Sequence, residues 1–221
     1  YADAFDIDVH KVRALGCPRT DAFFDKEYIE STRQKVYAGH PELKGKQVIV
    51  YAPTFRDLRG DRSFFEPELD FARLSGQLKK DQMFVICPHP VMKNDIVDQA
   101  YDNIQVIRDF STNDLMLVSD MLITDYSSVC WDVCYLDKPV LFYQFDYDMY
   151  MQAHGSYLDM EHELFGERYT EYEKLIDGIE EYIHNEFKEK EEYTKLKDYY
   201  FEYRDNDNSK RTYEYIISKG Y

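Results

Sequence analysis

MLITDYSSVCWDVCYLDKPVLFY, residues 121–143, is the stretch on which the reading of the fold turns. Met121–Thr124 is a short apolar run. Asp125-Tyr126-Ser127-Ser128 breaks it, and the spacing then becomes helical over Ser127–Leu136. Asp137-Lys138 leads into a second apolar run, Pro139–Tyr143. Strands joined through a helix pair in parallel, because antiparallel neighbours need only a tight turn. Working outward, Gln47–Tyr51, Met83–Cys87 and Ile104–Ile107 repeat the buried-strand pattern, and Val12–Leu15 reads as a further strand. Helices are expected over Glu27–Ala38, Leu69–Lys80, Met92–Tyr101 and Thr112–Val118. Near-continuous apolar strands separated by helices predict the α/β class: a Rossmann-like parallel sheet flanked by helices.

Beyond Tyr143 the pattern changes. Phe145–Gly166 is aromatic and acidic without periodicity, and is expected to run irregularly over the site. Thr170–Phe187 has apolar residues at helical spacing, and Lys188–Tyr203 and Ser209–Ser218 complete a helical tail from about residue 168. The expectation is one domain over residues 1–221. The chain starts at Tyr1 rather than Met, which reads as a cut inside a longer protein.

Charge narrows the partners. Lys and Arg total 27 against 43 Asp and Glu, a net −16, so nucleic acid, bound chiefly by neutralising phosphates, is excluded as a partner. A small anion is not, because charges beyond about 8–10 Å are screened and a few local donors suffice. No apolar run approaches the roughly 18 residues of a spanning helix, and the mixed polar start does not read as a charged-then-apolar leader. Cys17, Cys87, Cys130 and Cys134 lie in apolar segments and read as reduced core thiols. Cys130 and Cys134 are one helical turn apart without a second His/Cys pair, so no metal site is expected.

Ligands of open parallel sheets bind beyond the carboxyl ends of the strands, and here those loops are polar. At Asp125-Tyr126-Ser127-Ser128, Asp125 or Ser127 suits a helix N-cap, and the hydroxyls of Ser127 and Ser128 beside free helix-start amides suit a phosphate; simple capping accounts for the same residues. His89, stiffened between Pro88 and Pro90, presents an imidazole for phosphate binding or proton transfer, or is an exposed loop residue. Arg56 offers a forked donor to phosphate or a partner for Asp57 or Asp61. Asp146 and Asp148 suit polyol hydroxyls, a divalent ion or a loop start. His10, His40, His162 and His184 read as surface residues, and Trp131 as core.

Together these segments resemble one family. Gly16-Cys17-Pro18-Arg19-Thr20-Asp21, Tyr51-Ala52-Pro53-Thr54-Phe55-Arg56, His89-Pro90, Ile123-Thr124-Asp125-Tyr126-Ser127-Ser128-Val129 and Leu136-Asp137-Lys138-Pro139-Val140 resemble, in this order, the CDP-glycerol glycerophosphotransferases, which build teichoic acids and related glycerol- or ribitol-phosphate polymers. The resemblance implies the C-terminal, donor-binding half of a two-domain GT-B fold, with the N-terminal acceptor domain, and a second histidine acting as base, outside this chain. It implies that His89 is catalytic and contacts the donor pyrophosphate, with Ser127, Ser128, Asp125, Thr54 and Arg56 in the same cradle. Asp146, Asp148 and His154 would lie near the glycerol. It implies CDP-glycerol or a related CDP-alditol as donor and a lipid-linked or polymer acceptor. No cofactor is firmly implied, and a divalent cation such as Mg2+ is compatible. The full protein is expected in the cytoplasm, peripheral on the inner membrane face. Two departures stand out: His154-Gly155 where the family pattern has Arg-Gly, and Leu164-Phe165-Gly166-Glu167 in place of a Pro-Gly-Pro turn. They leave ribitol or another alditol open. The rival readings are a nucleotide-sugar transferase of GT-B fold, a non-catalytic α/β interaction module and, on the thin support of Asp146 with Asp148, a metal-dependent phosphatase.

Overall fold

The computed structural model describes residues 1–57, 62 and 64–220. Asp61, named above as a partner for Arg56, lies outside them. Six strands form one sheet: β1 (Gln47–Ala52), β2 (Gln82–Ile86), β3 (Ile104–Val106), β4 (Met121–Thr124), β5 (Val140–Tyr143) and β6 (Arg168–Tyr169). Every pairing is parallel, in the order β3-β2-β1-β4-β5-β6. The chain winds outward from β1 in one direction through β2 and β3, then returns to β1's other side with β4. That reversal leaves a crevice between the carboxyl ends of β1 and β4, where such sheets bind ligands.

The helices are α1 (Lys26–Gly39), α2 (Phe71–Gln77), α3 (Thr112–Met116), α4 (Val129–Val133), α5 (Tyr147–Ala153), α6 (Tyr172–His184), α7 (Glu191–Tyr200) and α8 (Asn208–Ser218). Successive strand residues point to opposite faces, which makes two cores. Val48, Val50 and Ala52 of β1 pack with α1, α3 and α4 through Val36, Leu115 and Val133. Ile49 and Tyr51 pack with α2 and α6 through Leu74, Leu175 and Ile179. Both faces are covered, so the strands read as unbroken apolar runs.

Several expectations change. Val12–Leu15 forms no strand. Met92–Tyr101 forms no helix but an irregular, bent segment, pinned where Asn94 exchanges hydrogen bonds with the Phe65 backbone. The stretch after Tyr143 holds α5, which buries no residue and so leaves no apolar period to read. β6 has two residues, too few for a pattern. Trp131 is only partly buried, stacked edge-on against Tyr200. Among the described residues no helix is long and apolar enough to cross a membrane.

The helical tail is tied to the segment before α1. The Asp21 carboxylate accepts from the backbone amides of Asn208 (3.1 Å) and Ser209 (2.8 Å), capping α8 from the other end of the chain. Gly16 sits at φ +83°, and a Cβ there would come within 1.6 Å of the Asn208 amide oxygen, so only glycine lets the segments close. Burial pushes the Asp21 carboxyl up, but bonds from Ser209 and Asn208 outweigh it and hold the carboxyl below its ordinary value. A depressed folded pKa gives stability that is complete above the unfolded value, about 4, and is lost as pH falls through the folded one. Asp21→Asn should therefore lower stability at pH 7 by about 1 kcal/mol and flatten the loss below pH ~4, both measured by urea unfolding.

Candidate functional site

Asp125 directly follows β4 and is 1% exposed. Its carboxylate accepts from the Thr54 amide (2.9 Å), the Thr54 hydroxyl (2.6 Å), the Tyr126 amide (2.6 Å) and Arg56 Nη2 (2.8 Å). Arg56 turns its other edge to Asp146: Nε donates at 2.6 Å and Nη2 at 3.0 Å, and the Tyr126 hydroxyl adds a bond at 3.2 Å. Its last nitrogen donates to the Thr54 carbonyl. The rings of Phe65, Tyr126, Phe145 and Tyr150 surround the guanidinium, centroids 5.1 to 6.0 Å away. Burial pulls the guanidinium pKa down, and Asp146 and Asp125 more than restore it. The loops after β1, β4 and β5 thus meet in one buried network, and Arg56 pairs with neither Asp57 nor open solvent.

Above that floor, Ser127 lies between two openings. On one side is a cavity of about 460 Å³ at the ends of β1 and β2, lined by Pro53, His89, Lys93, Arg108, Thr112 and Ser127. On the other is a cleft of about 210 Å³ with Ser127, Ser128, Trp131, Tyr157 and Phe165 in its walls. The exposed His89 ring packs 4.9 Å from Phe55. Its Nδ1 accepts from the Val91 amide at 3.3 Å, so in the neutral ring Nε2 carries the proton and is a donor. The Ser127 hydroxyl accepts from the Val129 amide at 3.3 Å, and α4 has no other side-chain cap. The helix begins at Val129, two residues after the expected start at Ser127, with Ser128 at the cap position.

The structure thus places Ser127 with His89 on the cavity and with Ser128 on the cleft, and joins Thr54, Asp125 and Arg56 in the buried network beside them. Asp146 is drawn into the floor. Asp148 is exposed on the first turn of α5, and His154 caps that helix with its ring against Tyr150, 4.7 Å away; neither lines the cavity or the cleft. Lys93 and Arg108 were not read from the sequence. Arg108 directly follows the Ile104–Ile107 run, so the strand-end rule that singled out His89 would have found it, whereas Lys93 was hidden in an expected helix. Arg108 also braces the His89 loop by donating to the carbonyls of Met92 (2.7 Å) and Asn94 (2.9 Å). His40 is no bystander either: its ring nitrogens face Glu42 at 3.2 Å and Asp109 at 3.0 Å. The carboxylates do not suit a divalent ion, since Asp125 and Asp146 are held by Arg56. Among the described residues no group of three or more His, Cys, Asp or Glu side chains stands close enough to hold a metal ion.

A parallel sheet wound about a switch point, with hydroxyls, an imidazole and cations at its carboxyl end, defines the class: a Rossmann-like α/β domain built like one half of a GT-B transferase. The chain belongs to the CDP-Glycerol:Poly(glycerophosphate) glycerophosphotransferase family, whose model matches residues 1–218. A teichoic acid poly(ribitol-phosphate) polymerase of Bacillus spizizenii is 36% identical over 98% of this chain, which spans 35% of that polymerase. The solved wall teichoic acid polymerase TagF superposes with a TM-score of 0.74 at 27% identity, over 98% of this chain and 54% of TagF. A TagF variant soaked with CDPG superposes with a TM-score of 0.76 at 26% identity, again over 98% and 54%. The chain therefore spans about half, or less, of the proteins it matches.

Replacing Arg56 with methionine keeps volume but leaves two buried carboxylates unpaired. Arg56→Met should cost about 3–5 kcal/mol, measured by denaturant unfolding.

Proposed function

We propose that this chain is the donor-binding part of an enzyme that transfers an alditol phosphate from a CDP-linked donor to a hydroxyl of a polymer acceptor in teichoic-acid-type cell-surface synthesis. One observation carries the reading: Ser127 stands where the His89 cavity and the Ser128 cleft meet, so a diphosphate resting there extends into both. An acceptor oxygen attacks the phosphorus bearing the alditol, the bond to the CMP phosphate breaks, and CMP departs while the hydroxyl proton passes to a base. Such transfer depends on positioning and charge stabilisation more than on covalent help from the protein. The Nε2–H of His89 and the hydroxyls of Ser127 and Ser128 would donate to the charged oxygens, with Lys93 and Arg108 nearby as cations. Arg56, Asp125 and Thr54 serve from below by fixing the turn. The attacking base and the acceptor would belong to a further domain, and the whole enzyme would work at the inner membrane face.

The family description and the CDPG soak of a TagF variant favour glycerol phosphate, and the Bacillus spizizenii relative favours ribitol phosphate. Thermal unfolding with CDP-glycerol, CDP-ribitol and UDP-sugars separates these from a sugar transferase. The better CDP-alditol, at about 100 times its dissociation constant, should stabilise the fold by about 2.7 kcal/mol. UDP-sugars should do much less, and Ser127→Ala with Ser128→Ala should abolish the response. An equal response to UDP-sugars, or an undiminished one in the double variant, would refute the donor assignment.

A further inference from the structure

Tyr126 lies between Asp125 and Ser127 in the turn after β4. Its ring is stacked on Tyr150 of α5, centroids 3.5 Å apart and planes 6° from parallel. Arg56 faces both rings, 5.1 Å from Tyr126 and 5.3 Å from Tyr150. The Tyr126 hydroxyl reaches Asp146, the residue immediately before α5, so the ring cannot swing without giving up that bond as well as the stack.

α5 leads directly into residues 154–165. Tyr157, Leu158, Met160, Leu164 and Phe165 of that segment wall the cleft opposite Ser127 and Ser128. The aromatic pair therefore links the serine turn to the helix that leads into the facing wall, alongside the Tyr126–Asp146 bond and Gln144, which reaches the Asp125 carbonyl at 3.1 Å and the Met160 sulfur at 3.8 Å; Tyr150 itself lines neither the cavity nor the cleft. The pair is not needed for core burial, because α5 buries no residue. Its partner is the functional turn instead.

We propose that Tyr150 is a positioning residue. By stacking on Tyr126 it holds Ser127 at the junction of cavity and cleft and keeps the 154–165 wall in register with it. The purpose assigned to Tyr150 rests on the donor-binding reading; the mechanical coupling does not. An aromatic pair is worth about 0.5–1.5 kcal/mol, which corresponds to about a three- to tenfold change in an equilibrium.

Two variants of the 221-residue chain test it, by hydrogen exchange and by calorimetry with CDP-glycerol. Tyr150→Leu should raise amide exchange across residues 125–131 and weaken binding about three- to tenfold, with the exchange of β1 and β2 unchanged. Tyr150→Phe, which keeps the ring, should match the unaltered chain in both. Unchanged exchange at 125–131 in Tyr150→Leu overturns the coupling. Raised exchange there with unaltered CDP-glycerol affinity overturns the positioning role. If the unaltered chain binds no CDP-glycerol, CDP-ribitol takes its place in the titration; if it binds neither, the donor reading falls together with the purpose given to Tyr150, and exchange alone decides the coupling.

Discussion

The geometry of the site depends on the buried ion cluster of Arg56 with Asp125 and Asp146. A planar guanidinium is fixed on one edge by the carboxylate just after β4 and on the other by the one that follows β5. Burying such charges is unfavourable unless each is paired and hydrogen-bonded. Here Thr54, Tyr126 and the Thr54 carbonyl supply the remaining partners. The requirement to satisfy all of them at once is what gives three separate loops a single arrangement.

The residues that carry the family resemblance divide into two kinds. Ser127 and His89 face open space. Others brace the frame: Arg19 binds Asp132 of α4 with two bonds, at 2.8 and 2.9 Å, and Asn113 adds a third at 3.0 Å. Lys138 donates to the carbonyls of Met116 and Ser119 at the end of α3, a favourable place for a cation. Asp137 takes a left-handed turn at φ +51° and pairs with Arg204 of the tail. Gly166, outside the segments that carry the resemblance, is constrained in a similar way, because a Cβ there would meet the Val140 carbonyl at 1.9 Å. Much of the signature thus marks mechanical necessity.

The acidic surface and an anionic donor are compatible through locality. The chain carries −16 overall, yet Lys93 and Arg108 stand with His89 around one cavity. Within a Debye length of about 8–10 Å such near charges outweigh distant ones.

The sequence by itself determined the sheet and the end of it that matters. Strands covered on both faces must be apolar throughout, so β1, β2, β4 and β5 were legible as runs, and the strand-end rule then singled out His89, Ser127 and Ser128. Elements without buried faces were not legible: α5 and β6 leave no period, and Met92, Ile96 and Val97 mimic one in a segment held by Asn94 and Arg108. Tertiary structure alone decided what each polar group does. Arg56 finds Asp125 and Asp146 across separations of 69 and 90 residues, and Tyr126 finds Tyr150 across a strand and a helix. No local pattern encodes such pairings, because hydrogen bonds and ring stacks form between whichever groups the sheet order brings within a few ångströms.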